Sequence, residues 1–104
     1  MKVDTFFKMM KAIQKDELNI MISKGKEYTV SNNDKLKNFK SIGERLDIPP
    51  ETVCMTYLLK HMDSIRNYVR TGKTFSDEPI EGRILDARNY LLLLLGIIKD
   101  KENE

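Results

Sequence analysis

The run "LLLLLGII", Leu91 to Ile98, limits what this chain can fold into more than any other stretch. Apolar on every face of a helix, it has to be covered all round, inside a bundle or against another subunit. It is far too short to cross a bilayer, which takes ~20 apolar residues. Upstream, Ile80, Ile84, Ala87, Leu91, Leu94, Leu95 and Ile98 recur at intervals of mostly three and four. The run therefore belongs to a helix whose first turn holds Pro79, where a missing N–H costs little.

Three more segments read as helices. Asp4 to Lys24 carries Phe6, Phe7, Met10, Ile13, Leu18, Met21 and Ile22 near helical spacing, with Gly25 as its stop. Asp34 to Leu46 shows a stripe of Leu36, Phe39, Ile42 and Leu46 after a cap at Asn33 or Asp34. "DIPPET" then breaks the chain, because a residue before proline is pushed out of the α region while Pro50 suits a first helical turn. Val53, Tyr57, Leu58, His61, Met62, Ile65, Tyr68 and Val69 mark the third helix, which Gly72 ends. "KGKEYTVSNND" and "TGKTFSD" have no usable period and read as loops. The polar tail "KDKENE" is expected to fray, leaving 96–104 partly loose. The sum is one all-α domain over 1–104, a four-helix bundle-like fold.

Composition removes several function classes. At 104 residues the chain can bury a real core, and 40% apolar with 33% charged residues is a globular balance. A net charge of +2 is too small for a general electrostatic case for nucleic acid, so that partner is not expected. One cysteine, Cys54, excludes an intrachain disulfide, and with one histidine, His61, it cannot form a zinc site. The N-terminal stretch carries charges every few residues and is no secretory signal. A cytoplasmic protein with no membrane partner is the expectation.

Three constellations could carry chemistry. "FKSIGERLDIPPETVCMTYLLKHM" has helix-turn-helix spacing, which ordinary packing of two helices also explains. A recognition helix opens with side chains that reach phosphates and base edges, and here it would open with Glu51, Thr52, Val53, Cys54, Met55 and Thr56. His61 lies on a largely core-facing stripe and reads equally as a partly buried histidine or as a ligand group. Beside it, Lys60 and Ser64 share a face at i and i+4. On the last helix Asp86, Asn89 and Tyr90 form a polar patch that must meet water, a polar partner or a ligand. Glu81 is about 140° round that helix from Asp86, so the two are not neighbours on one face. Arg83 and Arg88 account for much of this charge as solvated ion pairs. Lys24, Lys26, Lys35 and Lys37 could draw a phosphate to a helix start, as scattered surface lysines do on most proteins.

In "KHMDSIRNY" and "GKTFSDEPIEGRILDARNYLLLL" the chain resembles small phage and bacterial proteins of the nucleotide-modification-associated, MazG-like kind. The resemblance covers mainly Lys60 to Leu95, with looser support from "DKLKNFK". It implies an oligomeric all-α fold related to nucleoside triphosphate pyrophosphohydrolases, which hold magnesium on a nucleotide's phosphates with clustered carboxylates. Glu78, Glu81, Asp86, Asn89 and Tyr90 fall on the family's positions, Lys60 on its basic position, and Asn38 and Phe39 on the looser motif. Gly82 stands where such relatives are usually acidic, and "KHMDS" keeps only Asp63 of a Glu-Glu-x-x-Glu cluster. Hydrolysis of a phosphoanhydride needs that negative cluster. Its loss, with Lys60, His61 and arginines nearby, turns a magnesium site into one that suits an anion directly.

The resulting expectation is a homo-oligomeric, phage-type nucleotide-binding protein, possessing a cleft between helices three and four. Lys60, His61 and Arg83 would meet phosphate, Asp86 and Asn89 would hydrogen-bond sugar or base, Tyr90 would stack, and Ser64 and Asn38 are further ligand-binding candidates. Binding needs no cofactor, and sequestering a host nucleotide signal is a natural version of it. The alternative is a pyrophosphohydrolase with Mg²⁺ on Glu78, Glu81 and Asp86. A DNA-binding or purely protein-interaction role stands third.

Overall fold

The computed structural model describes residues 1–28, 36–74 and 76–103. Among them are four helices and no strand: α1 (Val3–Tyr28), α2 (Lys37–Leu46), α3 (Pro50–Thr71) and α4 (Ile80–Glu102). The all-α expectation holds. By internal contacts the chain falls into two units, Met1–Lys35 and Leu36–Glu104.

The first unit is α1. It does not stop at Gly25 but continues to Tyr28, because one glycine inside a helix costs only about 1 kcal/mol. Met10, Ile13 and Met21 are half-buried, while Phe6 and Phe7 remain about half exposed at 48% and 49%. The proposed caps Asn33 and Asp34 lie outside the described residues.

In the second unit α3 and α4 form an antiparallel hairpin, with α2 packed on α3. Leu36, Phe39, Val53, Cys54 and Ile97 are the buried centre, and Ile42, Ile48, Tyr90, Leu93 and Leu94 pack around them. Each such side chain contributes about 1.5–3 kcal/mol on full burial. The α2–α3 connection is tight. Asp47 takes the left-handed conformation at φ 55°, which Asp tolerates better than most residues. The Ile48 N–H donates to the Gly43 carbonyl at 3.0 Å. A Cβ on Gly43 would sit 2.6 Å from the Ile48 carbonyl oxygen, so only glycine fits there. Pro49 and Pro50 then start α3 in extended and helical conformation respectively, and Gly72 (φ 71°) closes it by donating to the Tyr68 carbonyl at 2.7 Å.

The phase of α4 differs from the expected one. Its core face is Ala87, Tyr90, Leu93, Leu94 and Ile97, while Ile84, Leu91, Leu95 and Ile98 turn outward at 43–53% exposure. A helix apolar all round carries no phase of its own, so its neighbours choose the buried face. The helix continues past Leu95. It runs to Glu102 because Ile97 is core (3% exposed). The last turn also reaches α2 and α3 through Lys40–Asp100 at 2.7 Å and Lys101–Glu51 at 2.6 Å. Among the described residues no helix is long and apolar enough to cross a membrane.

Candidate functional site

The polar features of this unit gather along the α3–α4 seam. Tyr57 and His61 are one turn apart on α3, and Tyr90 of α4 stacks on both. Its centroid lies 5.8 Å from that of Tyr57, with the rings 7° apart, and 5.3 Å from that of His61, at 27°. Phe39 of α2 meets Tyr57 edge-on at 6.4 Å. Underneath, the Cys54 thiol donates to the Tyr90 carbonyl at 3.4 Å. Burial pushes that thiol's pKa up, so it stays protonated. Beside Tyr90, the Asn89 Oδ1 and His61 Nδ1 atoms are buried with no hydrogen-bond partner. Leaving such an atom unpaired costs about 1–3 kcal/mol.

Toward the hairpin loop the seam opens into a cleft of about 150 Å³. Ser64 and Asn67 of α3, Lys73, Thr74, Ser76 and Glu78 of the loop, and Ile80 and Arg83 of α4 line it. The loop is held by Thr71, whose hydroxyl donates to the Asn67 carbonyl at 2.8 Å and accepts the Lys73 N–H at 3.2 Å. Arg83 is oriented from two sides, with Nε 3.3 Å from Glu78 Oε2 and Nη2 donating to Ser76 Oγ at 3.5 Å. Gly82 leaves room beside this pair. A Cβ there would come within 3.2 Å of Glu78 Oε1, so the glycine is the shelf on which the Glu78 carboxylate lies. Lys73 makes no ion pair among the described residues. The cleft thus offers two cations and several neutral donors against one carboxylate, a composition that suits phosphate.

The structure brings together some of the expected site residues and not others. Ser64 and Arg83 line the cleft, and His61, Asn89 and Tyr90 form the aromatic wall next to it. Lys60 is exposed on α3, and Asn38 is exposed at the start of α2, neither lining the cleft. Asp86 is half-buried and is not a lining residue either. Among the described residues no group of three His, Cys, Asp or Glu side chains could hold a metal ion. Glu81 is exposed, Glu78 is engaged by Arg83, and Asp86 lies on another face of α4 from Glu81. Asn67, Lys73, Thr74 and Ser76 were not expected. Asn67 lies within α3, and the other three fall in a stretch without period, where only the Gly-Lys-hydroxyl composition of "TGKTFSD" marks them. Lys35 and the side chains of Lys24 and Lys26 lie outside the described residues, and Lys37 is exposed at the first turn of α2.

A larger groove of about 580 Å³ lies at the other end of the hairpin, lined by Lys40, Glu44, Asp47, Ile48, Asp100 and Lys101 among others. Its lysines are matched by Asp100 and Glu51. The Lys101 hydrogen bond holds the Glu51 carboxyl below its ordinary range. The start of α3, where a DNA-reading helix would present its side chains, has Val53 and Cys54 buried and Glu51 paired. No protein-family model, no curated protein and no solved structure matches the chain.

Proposed function

We propose that this protein binds a nucleotide or nucleotide-derived ligand along the α3–α4 seam, as a homo-oligomer, and holds it without cutting it. The observation that carries this is the cleft itself, where Lys73, Arg83 and the hydroxyls of Ser64 and Ser76 converge with only Glu78 opposed. At about 150 Å³ it is smaller than the 300–1,000 Å³ of a pocket that engulfs a whole ligand, so it takes phosphoryl groups. The sugar and base would then lie along the helices toward His61, Asn89 and Tyr90, with Ser64 one turn from His61. Sequestration in the host cytoplasm, in a phage setting, is the biological form this reading takes. Hydrolysis is the less favoured version, since a magnesium ion needs the carboxylates that Arg83 and the phase of α4 keep apart.

Purified protein is incubated with a panel of nucleoside mono-, di- and triphosphates and cyclic nucleotides, with and without Mg²⁺. Melting temperature and products are both recorded. At least one nucleotide should raise the melting temperature with no product formed. Turnover that depends on Mg²⁺ would replace binding by hydrolysis, and no shift with any member of the panel would end the reading.

A further inference from the structure

The groove between the end of α4 and the α2–α3 connection is a poor anion site, and the same charges favour a cation. At about 580 Å³ it lies within the roughly 300–1,000 Å³ of pockets that hold a small ligand. Ile48, Pro49, Pro50 and Ile97 give it an apolar lining. Its lysines are already matched, Lys40 by Asp100 at 2.7 Å and Lys101 by Glu51 at 2.6 Å. Glu44 and Asp47 also line it and make no ion pair among the described residues. Two lysines against four carboxylates leave a net charge of −2. The other cations of these turns do not cancel it. Arg45 and Lys99 lie about 100° or more round α2 and α4 from every lining position of those helices, and Lys37 is about two turns before Glu44.

The backbone adds to this charge. Both α2 and α4 end at the groove, and a helix C-terminus carries about half a negative charge. The third helix starts there, but Pro49 and Pro50 bring no N–H group that an anion could use. Next to Pro50, the Glu51 Oε1 atom is buried with no hydrogen-bond partner. The carboxylates are nonetheless dispersed, since among the described residues no three His, Cys, Asp or Glu side chains are grouped to hold a metal ion. A compact cation finds no cage here. An extended one meets both features at once, with hydrocarbon on the apolar lining and charge on the carboxylates. We propose that this groove binds a linear aliphatic polyamine, its methylene groups against Ile48, Pro50 and Ile97 and its ammonium groups donating to Glu44 and Asp47.

Isothermal titration calorimetry of the full chain with spermidine, in the absence of nucleotide, tests this. Binding should saturate at one spermidine per chain. Combining Glu44→Gln with Asp47→Asn should weaken it at least about tenfold at an unchanged melting temperature, because Asn accepts the left-handed backbone that Asp47 adopts. Glu44→Gln alone, an isosteric change at an exposed helix position, should weaken it about threefold and keeps the test readable if the double variant melts low. Mg²⁺ at equal charge should not displace spermidine, and a tetralysine peptide should bind no tighter than spermidine does. Absence of saturable binding, an affinity that both variants keep, or displacement by Mg²⁺ would each overturn the proposal. So would tighter binding of the peptide, which would make the occupant a protein segment. The groove and the nucleotide cleft lie at opposite ends of the hairpin, so a spermidine result of either kind leaves the nucleotide reading untouched.

Discussion

At one end of the α3–α4 hairpin a groove of about 580 Å³ holds Lys40 and Lys101, each within 2.7 Å of a carboxylate. At the other end a cleft of about 150 Å³ holds Lys73, with no such partner among the described residues, and Arg83, 3.3 Å from Glu78. The larger space is the poorer anion site, because its positive charge is already matched by groups that lock α4 to α2 and α3. The smaller one keeps charge in reserve. What distinguishes a structural polar cluster from a binding one here is the balance of charges within it, not its volume.

The largest expected effect lies at the structural end. Gly43→Ala would drive a methyl into the Ile48 backbone carbonyl, which has no flexible end to yield. Overpacking of this kind should cost about 3 kcal/mol and lower Tm by about 10 °C or more in a thermal melt. An unchanged Tm would mean that the α2–α3 connection is not held as described. Next comes the binding end. Arg83→Ala should weaken nucleotide affinity at least tenfold by calorimetry, about 1.4 kcal/mol or more, with little change in Tm. The same affinity in wild type and variant would move the phosphate site elsewhere.

Gly82→Ala sharpens the comparison from the other side. The added methyl meets only the tip of Glu78, so helix content should be kept or slightly raised. Displacing that carboxylate releases Arg83, and affinity should rise about twofold. A fall in affinity would show that Glu78 helps the ligand rather than competing with it. The smallest effect concerns acid. Since Lys101 lowers the folded pKa of Glu51, the pair stabilises above the ordinary carboxylate pKa near 4.5 and loses its contribution as pH falls through the lowered folded value. The partners are surface groups, so about 0.2–1 kcal/mol is at stake. Lys101→Ala should flatten that part of the stability curve, below the ordinary carboxylate pKa. An unaltered curve would show that the pair contributes nothing.

Legibility in the sequence followed the strength of local signals. The limits of α3 could be read because Pro50 and Gly72 act on the backbone itself. The phase of α4 could not, since Leu91 to Leu95 offer a neighbour the same surface on every side, and only the packing of Tyr90 on Tyr57 and His61 selects one. The extent of α4 was hard to read for a related reason. "KDKENE" is polar, but Ile97 before it is core, and Asp100 and Lys101 within it have partners on other helices. For the site, Ser64 and Arg83 were visible as chemistry on a helical period, while Lys73, Thr74 and Ser76 reach the cleft only through a loop fold that spacing does not encode. Gly82 was visible as a missing carboxylate. Its positive role, making room for Glu78, appears only once the neighbouring turn is placed.

The lone thiol gives the seam a clock. Cys54 is wholly enclosed and hydrogen-bonded to the middle of α4, so a reagent can reach its sulfur only after α3 and α4 part. The rate at which native protein is alkylated therefore reports how often the hairpin opens, in a single residue and without added label. A nucleotide held across both helices should slow that rate, whereas one held by the loop alone should leave it unchanged.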